Sequence, residues 1–168
     1  HDVSGPGVIK VFEEWSKKGI HLENVWNPDK IWIAEDHFVP SADRISAENI
    51  TKLTDWANKF GIKKHFKYGL GQYGICHTLS HEEALVLPGE FYVGGDSHTN
   101  TTGALGALAI GLGHTDIAYA MMYGRIWLKV PEAMSFKLVG KKPAHIMAKD
   151  IILKIISDIG TDGANYKT

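Results

Sequence analysis

The sequence predicts an α/β fold, a layered domain on a mostly parallel sheet with helices on both faces. Short apolar runs of strand length alternate along it with longer stretches of helical periodicity. Two of the runs, Ile31-Trp32-Ile33-Ala34 and Phe91-Tyr92-Val93, are apolar without a break, as strands covered on both sides are. Ionisable residues cluster just after each run, and open sheets of this class bind ligands beyond the carboxyl ends of their strands.

The elements follow in order. Val8, Val11, Phe12 and Trp15 share one helical face, and Pro6 stands where a helix begins. Ile31–Ala34 is the first strand. From Ser46, the positions Ala47, Ile50, Leu53, Ala57 and Phe60 form a second helical stripe, closed by Gly61. The turn Pro88-Gly89 leads into the strand Phe91–Val93. Leu105 to Met122 is alanine-rich and long enough for a helix, although Gly111 and Gly113 weaken its middle. Met134, Phe136 and Leu138 alternate with polar residues and predict a half-exposed strand. Ile151, Ile152, Ile155, Ile156 and Ile159 mark a last helix, ended near Gly160. Trp26, Trp32, Trp56 and Trp127 are expected in the core, and His21, His65, His114 and His145 on the surface or in packing roles. With no internal repeat and no evident linker, residues 1–168 read as a single α/β domain.

Composition narrows the function classes. Of 168 residues, 44% are hydrophobic and 22% charged, the balance of a soluble globular protein. Eighteen basic residues against 19 acidic ones leave a net charge of -1, which gives no general attraction to nucleic acid or an anionic membrane. No apolar run approaches the ~20 residues that span a bilayer. The one cysteine, Cys76, excludes an internal disulfide, so a reducing cytoplasm is the expected compartment. The chain opens at His1 without a methionine and closes straight after a glycine-rich turn, so it reads as an excised portion of something longer.

The chemistry concentrates after the two buried strands, in Glu35-Asp36-His37 and in Gly94-Gly95-Asp96-Ser97-His98-Thr99. A carboxylate can orient an imidazole and hold its charge, so two such Asp/His motifs at strand ends make a candidate acid–base site. The competing reading is structural, with Asp capping a following helix and His satisfied by backbone. Ser97 lacks the second glycine of a nucleophile elbow and serves better as a hydrogen-bond donor to an anion. Six glycines between Gly94 and Gly113 could bring backbone N–H groups to an anion or serve helix packing, but no nucleotide-binding pattern is present. His77 and His81 stand four apart, a zinc spacing only on a helix, and Gly69, Gly71 and Gly74 predict a loop there instead. A self-contained zinc hydrolase on those two histidines is therefore the weakest alternative.

At Gly95-Asp96-Ser97-His98-Thr99, followed by Thr101, Gly103-Ala104-Leu105-Gly106-Ala107 and Gly111-Leu112-Gly113, the sequence resembles the aconitase superfamily. Its other motifs follow in the same order along the chain. His1-Asp2-Val3-Ser4-Gly5-Pro6 resembles H-D-x-T-G-P, Asp36-His37 with Pro40 resembles D-H-x-x-P, and Gly74-Ile75-Cys76-His77 resembles G-I-x-H. Trp127–Pro131 and Lys149–Leu153 resemble the segment that closes the first domain.

The resemblance implies an aconitase-like N-terminal domain of a hydro-lyase that reversibly dehydrates a 2-hydroxy di- or tricarboxylic acid. In such enzymes a four-iron [4Fe-4S] cluster acts as Lewis acid on the departing hydroxyl. It implies that Asp36 with His37, and His77 with Asp96, are catalytic pairs that assist the leaving hydroxyl. By the same resemblance His98 stands beside the iron-bound oxygen, and Ser97 binds a substrate carboxylate. His1 replaces the substrate-binding glutamine of aconitases proper, which points to the isopropylmalate and homoaconitate branch and to amino-acid biosynthesis such as that of leucine. That branch works as a large subunit with a separate small subunit. The family's cluster cysteines lie beyond this segment, and Cys76 is at none of their positions. The expected glutamate, arginines and base serine are absent as well. No metal site is therefore expected on this chain alone, and the isolated piece is expected to be inactive. The alternative is a cluster-less, non-enzymatic or regulatory module of the same fold.

Overall fold

The computed structural model describes residues 4–168, so His1 lies outside the described residues. The described residues form two compact units, divided between Ile126 and Trp127. It is a mixed α/β structure whose strands form short parallel sheets. None of its helices is long and apolar enough to cross a membrane.

In the first unit, helix α1 (Ser4–Lys17) turns Val8 and Phe12 into a cluster with Ile117 and Ala118 of a later helix. A side chain at Gly5 would meet Leu53 at 2.5 Å, and one at Gly7 would meet the His114 ring at 2.3 Å. These two glycines thus let α1 lie close against its neighbours. Strand β1 (Trp32–Ala34) buries Ile33 and Ala34. Helix α2 (Arg44–Lys59) starts at Asp43, whose Oδ1 accepts the Ser46 N–H at 2.7 Å. Leu53, Ala57 and Phe60 pack on Ile33, Val25 and Ile62. Burying Leu53, 1% exposed, stabilises the fold by about 1.5–3 kcal/mol.

Strand β2 (Lys64–Phe66) pairs parallel to β1, with Ile33 opposite His65 and Ala34 opposite Phe66. Helix α3 (Cys76–Glu82) buries Cys76 and Leu79 against Ala34. Strand β3 (Phe91–Gly94) pairs parallel to β4 (Leu108–Gly111), and helix α4 (His114–Tyr123) follows. The second unit carries α5 (Ala148–Ile159) and a parallel bridge between Glu132 and Lys167. Its start is fixed by the Asp150 carboxylate, which accepts the Met147 N–H at 2.8 Å.

Five sequence expectations change. The stretch from Leu105 to Met122 is not one helix: a 3-10 turn (Thr99–Leu105) and β4 precede α4, which begins at His114. Glycine is a poor helix residue, and Gly111 instead lies where its own Cβ would come 2.4 Å from the Asp96 carbonyl oxygen. Residues 134–138 form no strand: the pairing with the chain end is limited to the Glu132–Lys167 bridge and the Met134 N–H on the Thr168 carbonyl at 2.7 Å, and does not run on into a ladder. Residues 76–82 are helical where glycines predicted a loop. Trp26 and Trp127, at 57% and 87%, are exposed rather than core. Phe91, expected on a strand buried on both faces, is 48% exposed.

Candidate active site

Two strands, one from each parallel pair, run out into ionisable residues: β1 into Glu35-Asp36-His37, and β3 into Gly95-Asp96-Ser97-His98. A parallel strand delivers its last side chains at its carboxyl end, where the chain must turn away and its polar groups are free to face a ligand. The third contributor is α3, which brings His77 in its first turn.

Asp36 is the hinge between these pieces. Its side chain is 2% exposed; Oδ1 lies 2.8 Å from His37 Nδ1, and Oδ2 accepts the Cys76 N–H at 2.7 Å. That amide belongs to the first residue of α3 and has no partner within the helix, so the carboxylate satisfies it. Asp36 thereby fixes where α3 begins and so where His77 stands. His77 Nε2 lies 3.0 Å from Asp96 Oδ1, and His98 Nδ1 lies 3.3 Å from the same oxygen. The two imidazole rings are 6.0 Å apart, centroid to centroid.

Asp96 is itself pinned. Its Oδ1 accepts the His98 N–H at 2.7 Å, and its carbonyl accepts the Thr99 hydroxyl at 2.6 Å. Partial burial pushes the carboxyl group up, but the His98 backbone N–H and the two nearby imidazoles outweigh that and hold it below its ordinary value. Behind the site, the buried Ser80 hydroxyl meets the Thr102 hydroxyl at 3.2 Å and ties α3 to the 3-10 turn.

The structure thus brings His77, Asp96 and His98 together and links Asp36 and His37 to them through the start of α3. Ser97 is exposed beside them, its hydroxyl 3.3 Å from His98 Nδ1. His81 does not join His77. Its Nδ1 donates to the His77 carbonyl at 2.6 Å, so the helical spacing is used up in a backbone bond.

Glu35 and His65 were missed as a pair. Both side chains are 4% exposed, with Glu35 Oε1 2.8 Å from His65 Nε2. Glu35 also accepts the Tyr68 N–H at 3.1 Å and contacts the Thr54 hydroxyl at 3.4 Å. Burial pushes the His65 ring below its ordinary value against the opposing pull of Glu35. A neutral ring donates through Nε2, and Nδ1 has no partner among the described residues. The only sequence signal was the run of two acids before His37.

An iron–sulfur cluster needs several thiolates. This chain has one cysteine, and its thiol is 1% exposed and pushed far up by burial and by the adjacent Asp36, so it stays protonated. The residues present do not fit a cluster.

The profile described as "Aconitase family (aconitate hydratase)" matches residues 1–168. The chain is 46% identical over 168 residues to a 3-isopropylmalate dehydratase large subunit of Caldicellulosiruptor saccharolyticus, covering 100% of this chain and 38% of that protein. It is 45% identical over 167 residues to the large subunit of the same name from Aquifex aeolicus, covering 99% of this chain and 37% of the relative. With the Heliobacterium modesticaldum large subunit the identity is 44% over 168 residues, again 100% and 38%. The chain therefore spans somewhat over a third of the length of these relatives.

Proposed function

The chain belongs to the aconitase family, and from that premise we propose that it is the N-terminal part of a hydro-lyase large subunit. The reaction is reversible removal of water from a 2-hydroxy di- or tricarboxylic acid, with 3-isopropylmalate as the substrate that the named relatives suggest. The observation that carries this reading is the convergence of His77 and His98 on one oxygen of Asp96, with Asp36 and His37 joined to them through α3.

Eliminating water requires a proton for the departing hydroxyl and a base for the neighbouring carbon. An imidazole held by a carboxylate can hand over that proton, because the carboxylate stabilises the ring in its charged form beforehand and sets its direction. In this reading His77 and His98 do so at Asp96, and His37 at Asp36, supported by their short distances to those carboxylates. In the same reading the exposed Ser97 hydroxyl, beside His98, donates to a substrate carboxylate, and His1 takes the same binding role from its motif. No residue of this chain is assigned as the carbon base. In this reading the base and any cluster ligands come from polypeptide outside this segment, a small subunit completes the enzyme, and the chain alone does not turn over.

The test is hydration of isopropylmaleate by a large subunit containing this segment together with its small subunit. Asp96→Asn is expected to lower kcat by about 10²–10⁴ while leaving KM nearly unchanged. Full activity of that variant would remove the acid–base role, and turnover by the 168-residue chain alone would remove the division of labour.

A further inference from the structure

We propose that His77, Asp96 and His98 form a binding site for one divalent transition-metal ion of the zinc or cobalt class on this chain. The inference goes beyond the hydro-lyase reading and does not depend on it.

The geometry comes first. One ring nitrogen from each histidine and one carboxylate oxygen of Asp96 all lie within 4.8 Å of one another. Tetrahedral zinc at bond lengths of about 2.0–2.2 Å separates its ligand atoms by roughly 3.3–3.6 Å. The two measured edges, 3.0 Å from Asp96 Oδ1 to His77 Nε2 and 3.3 Å to His98 Nδ1, are close to that length already. The third edge closes by rotating His98, whose side chain is 77% exposed and free to swing.

The donor set selects the metal. Two imidazoles and one carboxylate suit zinc, cobalt or nickel, whereas magnesium and calcium take oxygen ligands. The other two ligands are held in place. Asp96 is locked by the His98 N–H and the Thr99 hydroxyl, and His77 sits next to the Cys76 amide that Asp36 holds. Three protein ligands at a partly exposed position leave a coordination site open to water or a ligand. An ion there occupies the nitrogen lone pairs and the carboxylate oxygen needed for proton transfer, so the two uses of the site exclude each other.

The experiment is calorimetric titration of the untagged 168-residue chain with zinc, paired with the visible absorption of the cobalt form. One ion per chain is expected, with the intense cobalt bands of a tetrahedral nitrogen and oxygen site. His98→Ala, an exposed position that the fold does not need, should weaken binding by more than the ~10–100-fold that even an outer-shell change costs. His145→Ala, in the other unit, should leave affinity unchanged. Far-UV circular dichroism confirms that both variants keep the fold. Absence of saturable binding at millimolar metal, or one-to-one binding that survives His98→Ala, would overturn the proposal.

Discussion

Replacing Glu35 by alanine tests whether this buried carboxylate holds the strand ends together. Truncation leaves the His65 Nε2–H and the Tyr68 N–H facing a methyl group, and loosens Thr54. The Thr54 contact, at 3.4 Å, is too long to count in full, and its hydroxyl can rotate to another acceptor. Each of the other two donors, left buried and unpaired, costs about 1–3 kcal/mol. With the change in packing, the expected loss is about 3–5 kcal/mol, the usual result of removing one member of a buried pair. That is a large share of the ~5–15 kcal/mol that holds a typical domain folded. Glu35→Gln keeps the size and one good acceptor, so it should cost only about 1–2 kcal/mol. Urea unfolding followed by circular dichroism gives both numbers as shifts in midpoint at constant slope. Because Asp36 follows directly, the alanine variant should also disturb the His37 and His77 ring signals in NMR spectra. A loss below about 1 kcal/mol for Glu35→Ala would refute the claim that this carboxylate carries the junction.

Two further outcomes follow from the same region. The folded state disfavours a charged His65, whereas the unfolded chain protonates that ring below about pH 6.5, so the unfolded state binds more protons there. Stability is therefore fully present above that pH and falls as pH drops through it, by at most ~1.4 kcal/mol per pH unit. Asp96, held low, loses its contribution only in the more acidic carboxylate range. Urea midpoints on either side of about pH 6.5 should show the slope, and His65→Gln should flatten it; an unchanged slope in that variant would assign it elsewhere. Gly111→Ala places a Cβ 2.4 Å from the Asp96 carbonyl oxygen, a backbone neighbour that cannot give way. It should cost about 1–3 kcal/mol and move the His77 and His98 signals. Gly103→Ala meets nothing within 4 Å and should do neither. Thermal melts of the two variants compare them directly, and equal behaviour would contradict the steric argument.

The sequence by itself determined the helices with a clean apolar stripe, α1, α2 and α5, because 3.6-residue spacing is a local property. It also marked β1 and the place of β3, and it located Asp36, His37, Asp96, Ser97 and His98 just after those strands. Tertiary structure decided the rest. Whether residues 108–111 form helix or strand depends on β3 lying alongside to accept a ladder, whereas beside residues 134–138 the pairing stops at the Met134–Thr168 backbone bond. The start of α3 depends on Asp36 reaching Cys76 across 40 residues, which outweighs the three glycines that precede it. The same kind of distant contact joins Glu35 to His65 and draws His77 and His98 onto one oxygen of Asp96. Periodicity reports which face of an element is apolar, but a hydrogen bond between distant residues exists only once packing has brought its donor and acceptor within ~3 Å.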